Sequence, residues 1–154
     1  VDKMDVEKRA EIKYRQAKTL YTQERYDEAL VLLEEALRLK RNKASYILLL
    51  AMTETKIPFY KEKAEDDFLR AIDLEPWNAE AYVSLGMFYK NEGLKVKAKK
   101  MFKKALEMEP EHKLALKELA EAEPPEKKKK GIKEIFRMDL LGKKKKEKEK
   151  ASPS

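Results

Sequence analysis

Residues 79–112, AEAYVSLGMFYKNEGLKVKAKKMFKKALEMEPEH, decide how the rest of the chain is read. Tyr82, Leu85 and Tyr89, with Phe88 beside them, recur at helical spacing and give a first helix one apolar stripe. Ala98, Met101, Phe102, Ala105 and Leu106 keep the same period in a second helix. Between the two, Asn91-Glu92-Gly93 supplies a residue able to take left-handed backbone angles, which ends one helix and lets the chain reverse. Gly86 and Ala98 are small where two antiparallel helices must approach closely, and Phe102 fills the space beside them. Pro110 has no amide donor and cannot continue a helix interior, so the unit closes there.

Position for position, this window resembles a tetratricopeptide repeat: Tyr82, then Leu85-Gly86, Tyr89, Ala98, Phe102, Ala105 and Pro110, within a period of about 34 residues. The resemblance implies an all-α chain, a right-handed α-solenoid of three helical hairpins closed by a C-terminal capping helix and followed by a basic tail. The first repeat falls at residues 10–43, with Ala17, Leu20, Ala29, Leu33 and Ala36 at the matching positions, Lys13 in place of the first aromatic and Arg41 in place of the closing proline. Terminal repeats depart from the pattern because one face meets water. The middle repeat, residues 44–78, matches well in its second half through Ala64, Phe68, Ala71 and Pro76. Its first half fits one residue out of step, pairing Ile47, Leu50 and Ala51 with Tyr82, Leu85 and Gly86, so an extra residue must be absorbed near 55–58, where Pro58 forces the turn. Glu54 then falls where the clear repeat has Tyr89. Residues 113–123, with Leu114, Leu116 and Leu119, read as the capping helix of an array spanning 1–123.

Composition suits one helical domain with polar additions: 154 residues, four glycines, one tryptophan and 42% charged residues. The absence of cysteine excludes a disulfide framework and a thiolate metal site and agrees with a reducing, cytoplasmic setting. The most apolar run, residues 46–52, is far shorter than the roughly 20 residues a bilayer span needs. The first residue is Val rather than Met, which suggests a piece of a longer polypeptide. Charge is unevenly placed. Of the 36 Lys and Arg, 12 lie from Pro124 onward with only five of the 29 acids, so residues 1–123 balance and the net +7 belongs to the tail. Within that tail, residues 131–141 read as a short amphipathic helix with Ile132, Ile135, Phe136 and Leu140 on one face, flanked by lysine runs. It is expected to dock back on the array, because a helix of about three turns is marginal alone in water.

No catalytic constellation, cofactor motif or metal-ligand set appears, so an enzyme is not expected. His112 is the only histidine and reads as a solvent-exposed turn residue. Glu34-Glu35 and Asp66-Asp67 read as a solvated helix face, with Asp66 and Arg70 a weak i,i+4 pair. The resemblance implies instead a protein-interaction scaffold, whose first helices line a concave groove at four positions per repeat. Carried onto this chain these are Glu11, Tyr14, Lys18 and Tyr21; Ser45, Leu48, Met52 and Thr55; and Glu80, Val83, Met87 and Lys90. Family members that hold a chaperone's C-terminal carboxylate use lysines, asparagines and an arginine at positions occupied here by Tyr14, Lys18, Leu49, Glu80 and Ser84, so that clamp is not expected. A peptide or amphipathic protein segment is the expected partner. The alternative is an anionic surface, nucleic acid or acidic lipid, met by the tail together with Lys95, Lys97, Lys99, Lys100, Lys103 and Lys104.

Overall fold

A computed structural model describes residues 3–123 and Arg137. The described residues are helical and carry no strand: α1 (Lys3–Thr22), α2 (Tyr26–Leu39), α3 (Ala44–Glu54), a 3₁₀ turn at Pro58–Tyr60, α4 (Lys61–Leu74), α5 (Ala79–Asn91), α6 (Lys95–Met108) and α7 (Lys113–Ala122). The chain divides into two units, Val1–Glu118 and Leu119–Ser154, and the packing described below lies within the first. There α1 packs on α2, α3 on α4 and α5 on α6, each hairpin meets the next, and α1 also touches α3. The tail segment 131–141, with Ile132, Ile135, Phe136 and Leu140, lies outside the described residues.

The first and third hairpins turn in the same way. After α5 the amide of Leu94 donates to the Tyr89 carbonyl at 2.8 Å, and after α1 the amide of Arg25 donates to the Leu20 carbonyl at 2.9 Å. Each closure requires a left-handed residue one place earlier. Gly93 takes it at φ 78°, where a missing Cβ makes the angle free of strain, whereas Glu24 takes it at φ 60°. The middle hairpin differs: residues 55–60 link its helices, and Ile57, extended ahead of Pro58, leads into the 3₁₀ turn. This longer link absorbs the shift in register, so Ile47, Leu50 and Ala51 are buried at the positions that Tyr82, Leu85 and Gly86 occupy in the third hairpin.

Helix packing explains the small residues. A Cβ on Gly86 would lie 2.7 Å from Cε1 of Phe102, a ring itself only 2% exposed, so α5 and α6 reach this separation only with glycine there. In the first hairpin Ala17 and Ala29 play the same part, with Leu30, Leu33, Leu49 and Leu50 completing one apolar cluster. Asn78 starts α5 by accepting the Glu80 amide at 3.1 Å.

Helix α7 is turned differently from the sequence reading. Leu114 and Leu116 are exposed, and Ala115 and Glu118 are the buried residues. An i, i+3 pair of one small and one acidic side chain faces inward because Lys90 of α5 supplies the charge that Glu118 meets. Among the described residues no helix is long and apolar enough to cross a membrane.

Candidate protein-binding groove

Helices α1, α3 and α5, the first of each hairpin, carry the groove positions. On α1, Tyr14 is half-buried and stacks on Tyr46 of α3, ring centroids 4.7 Å apart and 25° between planes. The Tyr46 hydroxyl donates to Glu11 Oε2 at 3.0 Å. Burial first, then this bond to a carboxylate, push the Tyr46 phenol up to about 12, and the same bond is the leading cause that holds Glu11 below its ordinary range. Tyr21, half-buried at the penultimate position of α1, meets Tyr26 edge to face at 5.4 Å. Its phenol is raised, chiefly by burial. Lys18, between the two tyrosines, is exposed. On α3, Leu48 and Met52 are half-buried, as is Met87 on α5. Ser45 and Thr55 are half-buried too, and the Thr55 hydroxyl is spent on the Met52 carbonyl at 2.6 Å.

The third hairpin offers less than its sequence promised. Val83 is 2% exposed and so is a packing residue rather than a groove contact. Lys90 Nζ bonds Glu118 Oε2 of α7 at 2.5 Å, and Glu80 Oε1 lies 2.7 Å from His112 Nε2. Two of the four positions on α5 are therefore tied to Glu118, midway along α7, and to His112, the residue before that helix, just as Glu11 ties α1 to Tyr46. His112 is not the exposed turn residue its sequence context suggests. Its side chain is 11% exposed, and Nδ1 accepts the Ala115 amide at 3.4 Å while Nε2 faces Glu80. With Nδ1 toward the Ala115 amide and Nε2 toward Glu80, one histidine both caps α7 and fastens it to α5.

A buried acidic pair went unseen in the sequence. Glu54 is fully buried and Asp67 is 6% exposed, so Asp67 does not belong to a solvated face. Lys63 Nζ stands 3.2 Å from Glu54 Oε1 and 3.6 Å from Asp67 Oδ2, yet neither Glu54 oxygen gains an aligned hydrogen bond. Burial first, then the neighbouring Asp67 charge, push Glu54 up to about 7. Arg70 pairs with Asp67 at 4.0 Å, and its Nη2 donates to the Arg41 carbonyl, in place of the pair with Asp66. The signal was present: Glu54 stands on the apolar stripe of α3, where the flanking repeats place Leu20 and Tyr89.

Residues 10–43 and residues 79–112 each match the family model of the tetratricopeptide repeat. These two stretches are tetratricopeptide repeats. No curated protein sequence matches it. Among solved structures it is similar to the tetratricopeptide domain of Arabidopsis OM64, at 21% identity over 76% of this chain and 96% of that one, with a TM-score of 0.70. The first such domain of Spaghetti (RPAP3), bound to the HSP90 peptide SRMEEVD, is 22% identical over 75% of this chain and 90% of that one, TM-score 0.68. The second domain of human RPAP3, in complex with the HSP70 peptide SGPTIEEVD, is 24% identical over 76% and 97%, TM-score 0.67. At these identities the likeness is one of fold. The family match covers the first and third repeats, and the middle repeat is the one with the long proline turn and the buried acids.

Proposed function

We propose that this tetratricopeptide array is a non-enzymatic interaction module that holds an apolar or amphipathic peptide segment against its first helices. One observation carries the reading: Tyr14, Tyr21, Leu48, Met52 and Met87 all keep part of their surface in water at groove positions, with the charge of Lys18 among them. Methionines give such a surface adaptability, because an unbranched thioether repacks around differing side chains. Related domains hold peptides ending in EEVD, but a carboxylate clamp is not the chemistry supported here. Of its five positions, Tyr14 is stacked on Tyr46, Leu49 is buried and Glu80 is engaged by His112, which leaves Lys18 as the single cation.

Selection of a displayed peptide library on the full chain tests this. Apolar or amphipathic peptides should be enriched, and a Met52→Glu, Met87→Glu double variant should lose them while circular dichroism stays unchanged. Retained binding would move the site off the first helices.

A second reading rests on α6, where Lys95, Lys97, Lys100, Lys103 and Lys104 are all exposed. They would present a cationic surface to nucleic acid or acidic lipid. Such binding collapses as salt rises, whereas capture through apolar contacts does not.

A further inference from the structure

A cavity of about 460 Å³ opens among α2, α3 and α4, away from the groove positions. Its lining is strongly cationic: Arg38 and Arg41 from the end of the first hairpin, Lys63 and Arg70 from α4, against one acid, Glu34. Leu37 and Leu50 give it an apolar bed. The four cations are not equivalent. Lys63 is already engaged by Glu54 and Asp67, and the Arg70 guanidinium is anchored by donating to the Arg41 carbonyl at 2.8 Å and by its 4.0 Å pairing with Asp67. The Arg38 and Arg41 guanidinium groups make no hydrogen bond or ion pair among the described residues. Two planar forks without a hydrogen bond, of which Arg38 has only the longer-range attraction of Glu35, and a third that is positioned by Asp67 and a carbonyl thus converge on one concavity. Like charges gathered in this way repel, and each fork keeps donors matched to a carboxylate or a phosphoryl group in bidentate geometry.

We propose that this cavity binds an oxyanion carried on a peptide, a phosphorylated or acidic side chain whose charge is taken by Arg38, Arg41 and Arg70. The cavity volume lies in the range that takes a drug-sized group, here one side chain and its immediate neighbours rather than a lone ion, about 300–1,000 Å³. Leu37 and Leu50 receive an apolar residue flanking the anion. Glu34 disfavours a ligand that is anionic throughout and accepts a hydrogen bond from a backbone amide of the bound segment. This site is independent of the groove on the first helices: no side chain is shared, and either can fail without the other.

Fluorescein-labelled peptides Gly-Leu-Xaa-Leu-Gly, with Xaa phosphoserine, glutamate or serine, titrated with the full chain and followed by anisotropy, test the proposal. The phosphoserine or the glutamate peptide, or both, should bind at least about ten-fold more tightly than the serine peptide, the scale of one charge-assisted contact, and the stronger of the two identifies the oxyanion. An Arg38→Gln, Arg41→Gln variant should lose that ten-fold with an unchanged melting curve, since neither guanidinium holds the fold together. A Lys100→Gln, Lys103→Gln variant removes the same charge from α6 and should keep the discrimination. Equal binding of all three peptides would overturn the proposal, and so would an equal loss in the α6 variant, which would mean attraction to a basic chain at large. Displacement by inorganic phosphate at the same affinity as the phosphoserine peptide would overturn the peptide part.

Discussion

Replacing Glu54 by glutamine should stabilise the protein in alkaline solution and leave it nearly unchanged in acid. Glu54 is fully buried on α3, faces Asp67 and Lys63 of α4, and titrates near 7 instead of 4.5. Between these values the folded chain holds a proton that the unfolded chain has released. Stability therefore falls as pH rises through this window, and above about 7 the folded state carries the full cost of an ionised buried acid. A shift of this size corresponds to roughly 3 kcal/mol. Glutamine keeps the shape and removes the titration, although it also gives up the attraction of Lys63. The variant should therefore exceed the parent by about 2–3 kcal/mol at pH 8.5 and by under about 1 kcal/mol at pH 5. The carboxyls of Glu11, Glu28 and Glu35 are shifted the other way, each held down chiefly by a hydrogen-bonded partner. Their stabilisation is complete above the unfolded value and is lost only as pH falls below it, so they do not slope this comparison. Urea titrations followed by far-UV circular dichroism at pH 5, 7 and 8.5 measure the difference. A parent–variant gap that does not change with pH, or a variant less stable at pH 8.5, would refute the reasoning.

Phe102→Ala should cost about 3–5 kcal/mol, as truncation of a ring that fills the α5–α6 contact against Gly86; a loss under about 1 kcal/mol in the same titration would mean that Phe102 is not a core residue. Glu24→Gly should stabilise by about 0.5–1 kcal/mol by relieving the left-handed strain that Gly93 avoids at the equivalent turn, and a rise of a few degrees in melting temperature would register it.

The repeat architecture was legible because its determinants are local. Gly86, Ala98 and Phe102 encode a helix separation within one hairpin, and Gly93 encodes a turn, so one window of sequence carries both. The middle link was legible for the same reason, since Pro58 and a one-residue slip leave few ways to join α3 to α4. The side chains that bridge hairpins were not. Whether Val83 lines a groove or a core depends on a surface brought by a different part of the chain, and periodicity does not report that. His112 looked exposed because it follows the Pro110-Glu111 turn, yet its partners are Glu80, about one repeat away, and the amide of Ala115. Asp67 had the same ambiguity: on α4 alone it is one more acid beside Asp66, and only the buried Glu54 from α3 turns it into half of a pair. The cluster of Arg38, Arg41 and Arg70 likewise joins two repeats and leaves no mark at any single spacing.

Among the described residues the tertiary side-chain hydrogen bonds, from Lys13–Glu35 to Tyr46–Glu11, span between 22 and 35 residues. Each bridges about one repeat, so the entropy of loop closure is nearly constant from one contact to the next and does not grow along the chain. Folding of such a chain can begin at whichever hairpin is locally most favourable and spread by single steps to its neighbours. Residues 79–112, with their glycine turn, capped α5 and well-filled aromatic contact, are suited to that nucleus. Growth toward the N-terminus must then pass through α3 and α4, where closing the hairpin requires Glu54 to leave water. Above neutrality the step demands a proton or an ion dehydrated beside Asp67, so refolding should slow with rising pH although the nucleus itself is unaffected.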